Sequence, residues 1–215
     1  VMGDDSTPRN VLSLGTGQDE MYDVVLESGD IYGVNSEHIL CLYYEPLDAM
    51  LEMTVKEYFD LSKEDQTRLF SIRSSVEFPY RFARDPYRFG LSLDTSNPNE
   101  YIPDEYKRNS KEIRARVLRG FIDNYYKRSP PTPGGPNSSK ISQRDECYVF
   151  SNLPMQLAKD ILYIIRSLGY DCARYNKMIV FKEEELKYVP FRIETRGPGN
   201  YYGFTLDGNH RYLLG

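Results

Sequence analysis

The chain has 215 residues, with 27 Lys and Arg against 32 Asp and Glu, a formal net charge of −5. That balance excludes a surface that is basic all over, as a general nucleic-acid coat requires, but leaves room for a local basic patch. A 40% hydrophobic and 27% charged composition excludes a disordered chain. No apolar run approaches the length of a membrane span, which predicts no insertion. Val1-Met2-Gly3-Asp4-Asp5 has neither a basic n-region nor an apolar h-region, which predicts no signal peptide. Cys41, Cys147 and Cys172 are odd in number and widely spaced, so they predict free thiols in a reducing, intracellular compartment. Two histidines are too few for a His-rich zinc site.

In chain order, Asn10–Leu14, Met21–Leu26 and His38–Tyr43 are β-favouring runs. Asp4–Pro8, Gly15–Gly17 and Ser28–Asp30 read as the turns between them. Val55–Phe59 and Ser62–Gln66 read as helical, with Ser62 as N-cap and Asp65 completing a loose capping box. Phe78–Arg88 is rich in Arg, Pro and aromatics and marks a boundary. Between Ser110 and Asn124, the residues Ile113, Val117, Leu118, Phe121 and Ile122 share a helical face. A second helix is predicted from Met155 to Leu168, opened after Pro154 and stopped by Gly169. Ser129–Ser139 holds four Pro and two Gly, the composition of an exposed linker. Strand patterns return at Met178–Phe181, Tyr188–Ile193, Tyr201–Leu206 and Tyr212–Leu214. A helical middle between two β-rich ends is the pattern of an insertion into a host domain.

Each histidine falls in a small polar cluster beside a strand pattern: Asn35-Ser36-Glu37-His38 and Asp207-Gly208-Asn209-His210. Imidazole moves protons near neutrality, and an asparagine amide can polarise a carbonyl. The same clusters also suit ordinary turn histidines. From Lys107 to Arg128, eight cations (Lys107, Arg108, Lys111, Arg114, Arg116, Arg119, Lys127 and Arg128) face only Glu112 and Asp123. Such a run is either a phosphate-contacting face or a solvated helix surface, with Glu112 and Arg116 as an i,i+4 pair.

Several stretches resemble inteins of the branch that includes the vacuolar ATPase and giant-virus inteins. They are Val1–Arg9, Met21–Val25, Asn35–His38 and Tyr201–Leu214, the last resembling the block just before the C-terminal splice junction. The resemblance implies a mainly β Hint horseshoe formed by both chain ends, with residues 1–78 and 187–215 as its two parts. It implies that His38 assists the first acyl shift, Asn35 positions the scissile peptide, and His210 assists the cyclisation of a terminal asparagine. This is acyl transfer without a cofactor. Family members begin with Cys or Ser and end with Asn, whereas this chain runs from Val1 to Gly215. It therefore reads as a trimmed or fragmentary intein, or as the larger piece of a split one. The partners implied are the flanking host segments (exteins) and a short N-terminal intein fragment, in whatever intracellular compartment holds the host protein.

Residues 79–186 resemble a smaller α/β module, a homing endonuclease of the LAGLIDADG type. Pro86–Asp94 resembles its first motif, and Ile102–Ser110 with Leu118–Asp123 resembles the lead-in and second motif. Such enzymes use paired acids to hold Mg²⁺ against a phosphodiester. Here Asp94 and Asp123 are the candidate remnants, with Asp94 the one possible metal ligand. Tyr125 stands where the second metal-binding acid belongs, and Tyr126 where the closing glycine belongs. The module is therefore expected to be a degenerate nuclease, needing Mg²⁺ only if active. Lys107, Arg108, Lys111, Arg114 and Arg116 are its candidate DNA contacts. The alternative function is a site-specific DNA-binding or DNA-cleaving homing endonuclease.

Overall fold

The computed structural model describes residues 1–128, 147–185 and 188–213. The proline-rich stretch Ser129–Ser139 lies outside them. The fold is mainly β, with three antiparallel sheets and six helices among the described residues. Two compact units form: residues 1–74 with 186–214, and residues 75–185. No helix among the described residues is long and apolar enough to cross a membrane.

The first unit is organised by β1 (Val11–Leu26), which folds back through a Ser28–Asp30 turn into β2 (Ile31–Asn35). Gly29 has φ +88°, a backbone conformation that disfavours a Cβ. Along its whole length β1 pairs with β10 (Phe191–Leu206), from Val11↔Leu206 to Leu26↔Phe191. Gly15–Gly17, expected as a turn, lies inside this ladder opposite Gly203, Tyr202 and Tyr201. Glycine read locally signals a turn, but a continuous partner strand bonds the backbone along this stretch and keeps the chain extended.

A second sheet has the order β4-β3-β5-β9. It contains β3 (Ile39–Tyr44), β4 (Ala49–Thr54), β5 (Leu69–Ile72) and β9 (Tyr188–Val189). A 3₁₀ turn, Glu45–Leu47, joins β3 to β4. Helix α1 (Val55–Asp60) starts in a reciprocal capping box between Thr54 and Glu57. Helix α2 (Lys63–Thr67) starts at Ser62, whose hydroxyl accepts the Asp65 N–H, as its sequence predicts. Val24, Val34, Leu40, Leu42, Val55, Tyr58 and Leu69 form the core. Tyr212 and Leu213, expected in a strand, are irregular: Leu213 bonds back to the Met2 carbonyl, and Leu214 lies outside the described residues.

The second unit contains α3 (Pro86–Ser92), α4 (Asp104–Lys107), α5 (Lys111–Arg128), β6 (Cys147–Ser151), α6 (Met155–Ser167), β7 (Tyr170–Tyr175) and β8 (Met178–Glu185). Its sheet has the order β6-β8-β7, and neither β6 nor β7 is evident in the sequence pattern. Both are short and half-buried, so their alternation carries little signal. Gly169 ends α6 with φ +83°, as expected for a helix stop. Residues 76–78 pack with this unit: Val76 donates to the Ser167 carbonyl, and Arg114 reaches back to the Val76 carbonyl.

Helices α3 and α5 meet through a near-symmetric pair of glycines. A Cβ on Gly90 would lie 2.1 Å from the Val117 carbonyl oxygen, and one on Gly120 would lie 2.1 Å from that of Tyr87. Each carbonyl belongs to the residue three before the opposite glycine, so the two helices read each other identically. One turn further on, the Asn124 amide donates to the Leu93 carbonyl at 2.8 Å. Below this crossing, Phe150 packs against Phe121, Tyr125 and Phe181 with ring centroids 4.9–5.5 Å apart.

Candidate functional site

In the first unit, β1 and β2 pair with Met21 opposite Asn35, which brings Asp19 to the Asn35–His38 cluster. The Asp19 carboxylate accepts the Asn35 side-chain amide at 3.1 Å and the Ser36 hydroxyl at 2.9 Å. These bonds, the Ser36 one foremost, hold its pKa below the ordinary carboxylate value. Asp19 is absent from the sequence-based candidates because sixteen residues separate it from Asn35; only the hairpin register joins them. His38 is half-buried, and burial alone pushes its pKa down, so the ring is neutral near pH 7. The Val55 N–H donates to its carbonyl at 3.1 Å and fixes the backbone at the start of β3.

The second cluster is anchored to the beginning of the chain. Asp207 accepts both the backbone N–H and the side-chain amide of Asn10, at 3.0 and 2.7 Å. Asn209 donates to Asp4 at 2.9 Å and accepts from Arg9 at 3.3 Å. His210 has φ +62°, a left-handed conformation uncommon for histidine. Its Nδ1 bonds the Leu206 carbonyl. A carbonyl can only accept, so Nδ1 is the donor in this contact and Nε2 is left for another partner.

Arg211, next to His210, ties the second cluster to the strand that pairs with β3. Its Nε donates to Glu52 at 2.6 Å, and Glu52 pairs across the sheet with Cys41, three residues beyond His38. At about 3.4 Å per residue, this link lies roughly 10 Å from His38 along the strand. Asn35, His38 and His210 thus belong to one unit, although 172 positions separate the two histidines.

The nuclease candidates are placed differently. Asp94 closes a local turn, accepting the Ser96 N–H and hydroxyl at 3.0 and 2.7 Å. Asp123 accepts the Tyr87 hydroxyl at 2.7 Å and faces Arg119 at 3.5 Å. Among the described residues, no three or more His, Cys, Asp or Glu side chains are grouped to hold a metal. With Asp123 already answered by a hydroxyl and a guanidinium, the residues do not fit a Mg²⁺ centre, and no chemistry here runs through one. Tyr125 and Tyr126 serve the architecture instead. Their hydroxyls accept the Ser151 and Val149 N–H groups, each at 2.9 Å, and cover the open edge of β6.

Two of the candidate DNA contacts are corrected by their surroundings. Arg114 is fully buried; it donates to the Asn109 and Val76 carbonyls and lies 5.1 Å from the Phe78 ring centre. No phosphate can reach it in this fold. Lys107 is committed to the buried Asp160 carboxylate at 2.8 Å. Arg108 and Arg116 are exposed but lie 3.6 and 3.8 Å from Asp104 and Asp85. Lys111 is half-buried, its backbone N–H bonded to Glu77. Lys107, Arg108 and Arg116 thus meet acids outside the run, Asp160, Asp104 and Asp85, which a count along the helix misses.

No model of a known protein family matches the chain, and no curated protein matches it.

Proposed function

We propose that the unit formed by both chain ends is a Hint-type protein-splicing domain, an intein acting by intramolecular acyl transfer, and that residues 75–185 form an inserted LAGLIDADG-like module without nuclease activity. The observation that carries this reading is the pairing of the two chain ends along β1 and β10, which gathers both histidine clusters into one unit. An insertion between two halves of a host domain accounts for a second compact unit lying wholly within the chain.

In this reading, one N–H of the Asn35 amide is held by Asp19 and the other donates to the carbonyl oxygen of the scissile peptide. The neutral His38 ring takes the proton of an attacking thiol or hydroxyl and returns it to the departing amide nitrogen. Nε2 of His210 takes a proton from the side-chain amide of a terminal asparagine as that nitrogen attacks the asparagine's own backbone carbonyl, and returns it to the nitrogen of the downstream segment as that peptide bond breaks. No cofactor is needed, because orientation and proton transfer supply the rate. The absence of nuclease activity is supported by Tyr125 at the expected acid position and by the engagement of Asp123.

The test places a Cys-initiated segment ahead of Val1 and a segment ending in His-Asn after Gly215, between two reporter domains. Ligated reporters are the expected product. His38→Ala should stop thiol-induced cleavage at the upstream junction, and His210→Ala should stop release at the downstream one. Absence of any ligated or cleaved product, or an unchanged His38→Ala variant, refutes the proposal.

A further inference from the structure

We infer that Tyr80–Arg88 with Arg116 forms a binding site for single-stranded nucleic acid, in which Tyr80 and Phe82 stack on bases and Arg84, Arg88 and Arg116 contact phosphates. The site uses none of the splicing residues, so it stands whether or not the first unit splices. Tyr80 and Phe82 are 67% and 84% exposed, an unusual state for aromatic rings on an ordered segment. The segment is not loose. The fully buried Asn109 accepts the Arg81 N–H at 3.0 Å and donates to the Arg81 carbonyl at 2.8 Å. The Tyr106 hydroxyl donates to the Arg84 carbonyl at 2.7 Å, and Ala83 packs on the core. The chain is thereby clamped by its backbone, while the Phe82 ring between the clamps and the Tyr80 ring just before them stay in solvent.

The surrounding charge is cationic. Arg81 and Arg84 are exposed, and no carboxylate lies within ion-pair distance of either among the described residues. Arg88 and Arg116 approach the single carboxylate of Asp85 at 3.5 and 3.8 Å, with their side chains 84% and 50% exposed. Exposed guanidiniums at Arg81, Arg84, Arg88 and Arg116 suit a polyanion, and two solvent-facing rings suit flat partners. An unpaired strand offers both phosphates and accessible base faces. A duplex hides its base faces within the stack, and an acidic peptide has no such faces.

The experiment is fluorescence anisotropy of the full chain with a labelled oligothymidylate of about 12 nucleotides. Binding should weaken about 18-fold between 50 and 200 mM salt, the response for three phosphates on a single strand. Tyr80→Ala and Phe82→Ala should each weaken it by about 5- to 150-fold, with circular dichroism unchanged. Phe82→Leu, which keeps apolar bulk without a π-face, should lose nearly as much. The inference is overturned by a lack of binding at 50 mM salt, or by ring variants that bind within about two-fold of the parent. Equal binding of a duplex or of polyglutamate overturns it as well.

Discussion

Substituting Gly90 by alanine separates intrinsic helix propensity from tertiary packing, because the two predict opposite signs. In an isolated helix the change stabilises by about 1 kcal/mol. Here the new methyl would lie 2.1 Å from the Val117 carbonyl oxygen and 2.9 Å from the Phe121 nitrogen, both backbone atoms of α5. An ordinary contact starts near 3.4 Å, so α3 and α5 must part by about 1 Å, a distortion costing about 3 kcal/mol at the upper end of overpacking. The net expectation is a loss of about 2 kcal/mol, with weakening of the Asn124–Leu93 bond that spans the same crossing. Adding Gly120→Ala should cost less than a second full increment, because the first methyl has already opened the gap. The chain has no Trp and 19 Tyr, so near-ultraviolet dichroism of tyrosine and amide exchange of α3 and α5 report the change. Two units make a single global midpoint unsafe, which favours the local readout. Gly203→Ala, with nothing within 4 Å of its added carbon, is the control. If Gly90→Ala slows exchange in α3 and α5, or behaves like Gly203→Ala, the close helix contact is wrong.

Asp160→Asn should destabilise the second unit by about 2–4 kcal/mol, because the Lys107 ammonium and the Ile102 N–H lose a buried carboxylate. Faster exchange of α6 amides is the readout, and parent-like rates would refute it. Thr54→Ala should cost about 1 kcal/mol by removing the capping box of α1, seen as fraying of residues 55–58 in amide exchange. Burial lowers the His38 pKa in the fold, so between that value and about 6.5 the unfolded chain binds a proton that the folded chain does not. Stability of the first unit should therefore fall as pH drops through this window, and be retained above it. His38→Gln should flatten the dependence, measured from urea midpoints across the pH range; an unflattened profile assigns it to other groups.

The local chemistry of the sequence determined much of the secondary structure by itself. Ser62 before Lys63-Glu64-Asp65 caps α2 through bonds made within three residues, and Gly169 stops a helix because glycine adopts positive φ without a Cβ clash. The apolar spacing from Ile113 to Ile122 likewise sets the buried face of α5 in advance. Tertiary structure decided what depends on partners distant in the chain. Gly15–Gly17 is strand and not turn because Tyr201–Gly203 pairs with it. Arg114 and Lys107 belong to a basic run on paper, yet residues 76–78 and 160 take them out of solvent. The sequence marked Asn35, His38 and His210 as polar clusters beside strands, but Asp19 reaches Asn35 and Ser36 only through the register of a hairpin. A residue's own backbone preferences act within a few positions, whereas burial, charge neutralisation and cross-strand pairing are set by whichever distant segment the fold brings alongside.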